Sequence, residues 1–249
     1  MNSHDDIDDP RRQWLVRALA AGWFGAALPQ AMAQGLNIFG SKPAKLPPGQ
    51  SIYGITGDVR VNNMPATLST TIKPGDTVQT GKNSEAIFVV NTHAMILRGD
   101  SKLEIESPST APDTSVTGYV IGGLRMLTGK LLSVSRNSPM SVKTSASTIG
   151  IRGTGFYIES DPDLTYFCTC YGSTVVQAND DPESREEVVA RHHDRPLYIV
   201  KDAAKGKNIR SAPFVNHTDQ ELALIETLVG RTSPFVFSKD SYTGPRRSY

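Results

Sequence analysis

The chain has 249 residues, 38% of them hydrophobic, enough apolar material for one sizeable or two small domains and too much for a disordered chain. The 26 Lys and Arg nearly balance the 25 Asp and Glu, so no overall field favours a nucleic-acid groove or a polybasic membrane surface. With 21 Gly, 16 Pro and only two Cys, the composition suits short strands with many turns and excludes a disulfide scaffold.

Residues 1–33 read as an export segment. Four aspartates precede Arg11 and Arg12, then Ala18 to Leu28 is mostly Ala, Gly and Leu, and Ala31 and Ala33 supply the small residues that a signal peptidase accepts. The arrangement resembles a twin-arginine signal. The apolar run covers 11 residues where a bilayer span needs about 20, so cleavage is expected rather than retention as an anchor. The remaining chain would carry 23 basic against 21 acidic residues, with no membrane span, and would lie in the periplasm.

Residues 34–51 form a linker, because 40–50 is loaded with Pro and Gly and has no period. From Ile52 to Ala178 short β-branched runs recur between turn residues. Val59 and Val61 alternate before Asn62-Asn63, 87–90 lies between Asn83-Ser84 and Asn91-Thr92, and 94–97 stops at Gly99-Asp100. Further runs fall at 103–105, 119–121, 131–134, 156–158, 164–171 and 174–176. No amphipathic helix separates them, so a parallel sheet with helical crossovers is excluded and an all-β unit is expected, as a sandwich or as solenoid-like stacked short strands.

Residues 179–249 are a C-terminal extension. Glu183 to Asp194 is a charged stretch, and Leu197 to Val200 is a further strand. Thr218-Asp219-Gln220-Glu221 offers a capping box, and Leu222, Ile225 and Val229 form an apolar stripe that predicts one short helix over about 219–229. A helix of that length must pack on the β unit to be stable.

Three segments in order resemble the FecR-type domain: Gly57 to Val61, Lys73 to Gly81 with Gly75 and Asp76, and Val142 to Phe156 with Arg152, Gly153, Thr154 and Phe156. The resemblance covers about 55–178. It implies an all-β periplasmic module, in the best-known cases part of an anti-sigma regulator that senses an outer-membrane transporter. Only 17 residues precede the apolar segment, so the cytoplasmic helical region of such regulators is expected to be missing. Read physically, Gly75-Asp76 and Gly153-Thr154 are turn chemistry, and Arg152 is expected to be paired inside the fold.

Cys168 and Cys170 lie in a strand and would point to one face with Tyr166. With His192, His193 and His217 they make a Cys2His2 or Cys2His3 set suited to zinc or copper. Two alternatives remain open: a buried or redox-active thiol pair, and a strained disulfide. Against a metal, His192 and His193 would face opposite ways on a strand, and His217 precedes a helix cap where surface residues are common. His4 and His93 read as surface or turn residues. Asp161, Asp163, Asp180 and Asp181 flank prolines in turns and make no acid/base pair, so no enzyme is expected. The functional reading is a non-catalytic periplasmic module binding an envelope protein or cell-wall component, with a metal- or thiol-dependent protein as the alternative.

Overall fold

A computed structural model describes residues 44–108, 121–135, 139–201, 203–204, 206–232 and 234–235. The export signal with Arg11, Arg12, Ala31 and Ala33 lies outside them, as does most of the predicted linker. Among the described residues there are fourteen strands and one α-helix, joined in a single branched sheet. The protein is all-β with one short C-terminal helix.

Strands β1 (Ile52–Thr56), β2 (Val59–Val61), β3 (Met64–Pro65), β4 (Thr77–Thr80), β5 (Glu85–Val90), β6 (His93–Leu97) and β7 (Ser101–Glu106) come first. Their turns follow from residue chemistry. Asn62, Asn63, Asn83, Asn91 and Asp100 all adopt positive φ, the left-handed backbone that Asn and Asp tolerate because their short polar side chains bond locally. In the Gly75-Asp76 turn, Gly75 takes φ +92°, and the Asp76 carboxylate accepts from the Lys73 amide and from Asn62 Nδ2, both at 2.8 Å.

Three long strands organise the rest: β8 (Gly123–Ser135), β10 (Ser147–Ser160) and β11 (Leu164–Ala178), with β9 (Met140–Lys143) between β8 and β10. The first half of β8 pairs with β7 and β9, and its second half with β6 and β10. Every pairing among the described residues is antiparallel except β8 with β9, so hairpin pairing and not stacked coils builds the sheet. Buried residues from β1 through β13 (Leu197–Val200) form one large core. The opposite face of β5, β6, β8, β10 and β11 carries a second core, closed by α1 (Asp219–Leu228) and the chain leading to it.

The charged stretch, to which the sequence assigned no element, contains a strand, β12 (Arg185–Ala190), paired with Gly172–Gln177 of β11. Val188 and Ala190 face the core while Arg185, Glu187 and Val189 are exposed, so the charges mark the solvent face of an edge strand. β13 also pairs with β11, and β14 (Ile209–Ser211) with β13. The C-terminal extension thus continues the same sheet. Of the run expected at 119–121, two residues lie outside the described ones, and Ile121 is buried but not in a strand.

His93 is a second correction. It is 2% exposed in β6, and burial together with nearby Arg231 lowers its pKa to about 4. The unfolded imidazole protonates near pH 6.5 whereas the folded one resists, so this contribution is complete above pH 6.5 and is lost as pH falls toward 4. Stability is expected to drop by about 2 kcal/mol more between pH 7 and pH 5 in the natural chain than in His93→Leu, as measured by urea titration at the two pH values.

Candidate metal centre

The site starts from an irregularity in β11. Thr169 pairs with Phe156 and Tyr171 with Gly155, which leaves Cys170 as the extra residue of a bulge. Cys168, Cys170 and Tyr171 consequently share the face of the second core, while Thr169 turns away and bonds Thr174 at 2.7 Å. The facing strand is shaped for this bulge. Gly153 takes φ +61°, and a Cβ on Gly155 would fall 2.4 Å from Tyr171 Cε1. The segment that resembles the FecR motif therefore bends β10 opposite the cysteines, with Phe156 stacked on Phe167 beneath them. Two readings of that motif need correction. Among the described residues, exposed Arg152 forms no hydrogen bond or ion pair and the buried Thr154 hydroxyl has no hydrogen-bond partner. Both are set by the bend, which turns Arg152 outward and Thr154 inward.

His193 and His217 arrive from the C-terminal extension. After β12 the chain turns sharply, with Asp194 accepting from the Arg191 and His192 amides at 2.7 and 3.3 Å. His193 takes φ +53°, and its amide donates to the Cys170 carbonyl at 2.9 Å. This left-handed step removes the alternation expected of a strand, and the His192 and His193 rings lie side by side, 4.9 Å apart. His217, expected at the surface, is fully buried. It precedes the N-cap Thr218, whose capping box with Glu221 is formed as the sequence reading expected. Its ring stacks on Tyr157 at 4.5 Å and 21°.

Cys168, Cys170, His193 and His217 thus converge, all buried, with one ligand atom each and all four atoms within 4.8 Å of one another. Cys168 Sγ lies 3.5 Å from His193 Nδ1, Cys170 Sγ 3.4 Å from His217 Nε2, and the two ring nitrogens are 3.2 Å apart. A tetrahedral zinc with ordinary Zn–S and Zn–N bonds places sulfur and nitrogen about 3.6 Å apart and two nitrogens about 3.3 Å apart. These three spacings are close to those dimensions. The cysteines are not joined in a disulfide.

The outer nitrogens settle what the inner ones can do. His217 Nδ1 lies 2.7 Å from the Val215 carbonyl, and His193 Nε2 lies 2.9 Å from Asp219 Oδ1. Each of these contacts requires a proton on the outer nitrogen, so in neutral imidazoles the two inner nitrogens present lone pairs to each other. That juxtaposition is repulsive unless a cation or a shared proton lies between them. Hydrogen bonds of this type to the far nitrogen are also what orients histidine ligands and raises their basicity. His192 does not join the four; its Nε2 meets Asp219 Oδ2 at 2.7 Å from the solvent side.

The surroundings of the cluster shift its groups in opposite directions. Burial alone raises the Cys168 thiol, but a hydrogen bond from Cys170 and the facing His217 and His193 rings hold it well below the usual thiol range. Burial alone lowers His193, but Asp219 and Cys168 push its pKa up to about 9. Burial and the adjacent Cys168 raise Cys170, and burial lowers His217. The four groups therefore favour charge on the Cys168 sulfur and on the His193 ring.

Around the centre, Phe214 packs on His193 and His217 at 4.3 and 4.5 Å, and Phe235 lies 5.6 Å from His193. Helix α1 is fastened beside it by two buried carboxylates. Glu221 pairs with Arg98 at 2.9 Å, and Glu226 pairs with Arg231 at 2.7 Å and accepts from the Tyr171 hydroxyl. Sequence reasoning had no signal for Asp219 as a partner of the histidines, because its position in the capping-box segment already explained it.

No protein-family model matches the chain, and no curated protein matches it. Two crystal structures of a candidate anti-sigma factor from Parabacteroides distasonis ATCC 8503 are structurally similar, with TM-scores of 0.41 and 0.40 at 14% sequence identity. The similarity covers 55% of this chain and 58% of theirs. Among the described residues, no helix is long and apolar enough to cross a membrane.

Proposed function

We propose that this protein is a non-catalytic, exported β module, FecR-like over residues 55–178, whose C-terminal extension closes a structural zinc centre formed by Cys168, Cys170, His193 and His217. The observation that carries this reading is the convergence of the four inward atoms within 4.8 Å of one another, with two sulfur–nitrogen spacings and the nitrogen–nitrogen spacing close to the edges of a zinc tetrahedron. Four protein ligands leave no open coordination position, as in structural rather than catalytic zinc sites. Zinc is preferred over copper(I) on charge. Two thiolates neutralise a divalent ion, whereas a monovalent one leaves a net negative charge in a buried site, which is costly.

The module acts by binding a protein or cell-wall component of the envelope. The three FecR-like segments, in order, support that reading, and the low-identity resemblance to an anti-sigma factor is compatible with it. Elemental analysis of the exported protein purified from the periplasm tests the centre. One zinc per chain is expected, with neither thiol titratable in the native protein. Metal-free protein with two titratable thiols that takes up no added zinc would overturn it.

A further inference from the structure

A buried centre needs a route by which an ion reaches it, and one exposed side chain links this centre to solvent. The His192 side chain is 54% exposed, and its Nε2 touches Asp219 Oδ2; the other Asp219 oxygen meets His193 Nε2. His192, His193 and Asp219 each offer one ligand atom within 4.8 Å of the others, forming a second ligand set. It faces His193 Nε2, while the buried set contacts Nδ1 of the same ring.

We propose that His192 and Asp219, with His193 behind them, form a transient admission site that catches a hydrated divalent ion of the zinc or copper type and passes it to the buried centre. The proposal rests on the zinc-centre reading above. Two imidazoles and a carboxylate suit a borderline divalent ion, and a set this small leaves positions for water, so the ion sheds its hydration in steps. His192 is also held ready. Its ring packs edge-on against Phe235 at 4.7 Å, and its amide is bonded to Asp194.

The exchange balances. When the ion takes the lone pair of His192 Nε2, any proton there goes to solvent, and Asp219 Oδ2 exchanges its imidazole partner for the cation. When the ion moves on to His193 Nδ1, His217 Nε2 and the two sulfurs, the proton on His193 Nδ1 and the Cys170 thiol proton are released to solvent, the contact between His192 and Asp219 re-forms and Asp219 again accepts from His193 Nε2. Both positions draw on Asp219 and His193, and filling both at once would need His193 to lose its second proton. Occupancy is therefore sequential.

The test uses the full chain, reduced and stripped of metal, mixed rapidly with zinc held by a chromophoric chelator. Loading rate, release rate and equilibrium affinity are read separately. His192→Ala is expected to slow loading and release together by about tenfold, with affinity and the melting temperature of the loaded protein unchanged. His192→Asp, which restores a ligand, should recover the rate; His192→Phe, which restores only the ring packing, should not. Loading of His192→Ala at the natural rate would overturn the proposal, as would recovery by His192→Phe. A loss of affinity with slow loading but unchanged release would make His192 part of the final site and also overturn it. If His192→Ala loads normally while Cys168→Ser holds no zinc, the admission site fails and the zinc centre stands. If the natural chain takes up no zinc, both fail.

Discussion

Removing the metal from the loaded protein, or replacing Cys168 with Ser, is expected to lower the melting temperature by about 10 °C. The centre ties β11 to two points of the C-terminal extension, 25 and 49 residues downstream of Cys168, so a bound ion stabilises only the assembled arrangement. At free zinc about a thousandfold above the dissociation constant, binding adds about 4 kcal/mol to folding stability. For a chain of this size each kcal/mol is worth about 2–4 °C. The measurement is a thermal melt with and without chelator, for the natural chain and for Cys168→Ser and Cys170→Ser. The chelator should lower the melting temperature of the natural chain and leave the variants unaffected. Equal melting temperatures for the natural chain with and without chelator would mean that the thiols are only a buried pair.

Ile225→Asp is expected to destabilise the protein by about 4 kcal/mol, the scale of losing a packed aliphatic side chain and burying an unpaired charge. Ile225 is fully buried in the second core with Leu222, Leu224 and Leu228, where α1 lies against β6 and β8. The carboxylates on either side of it are already paired with Arg98 and Arg231. Because His217 and Asp219 sit at the start of α1, the same substitution should weaken zinc binding. Ile225→Val, which removes one methyl group, should cost only about 1 kcal/mol and leave zinc binding intact. Urea unfolding and zinc competition check both. A soluble Ile225→Asp variant of natural stability would show that the helix is not needed to hold the sheet or the site.

Much of the fold was legible because it depends on local chemistry. Period-two alternation marked the strands, Asn and Asp marked turns that do adopt left-handed backbone, and the capping box with its apolar stripe located the helix at Asp219–Leu228, within a residue of the predicted range. β12 was not legible because an edge strand with one solvated face carries the charges that also mark a loop.

The candidate site divides in the same way. Alternation alone placed Cys168 and Cys170 on one face, and residue type alone nominated the histidines as their partners. What the sequence could not supply was the backbone at three places: the bulge at Cys170, the left-handed step at His193 that cancels strand alternation, and the approach to α1 that buries His217 against Tyr157. Each depends on packing between segments distant in the chain. Tertiary structure therefore decided which histidines face the thiols, left His192 outside with Asp219, and brought four soft ligands to the spacing of a metal ion. The physical reason is that side-chain direction follows from local backbone geometry, whereas convergence depends on how the C-terminal extension returns across the sheet through β13, β14 and α1.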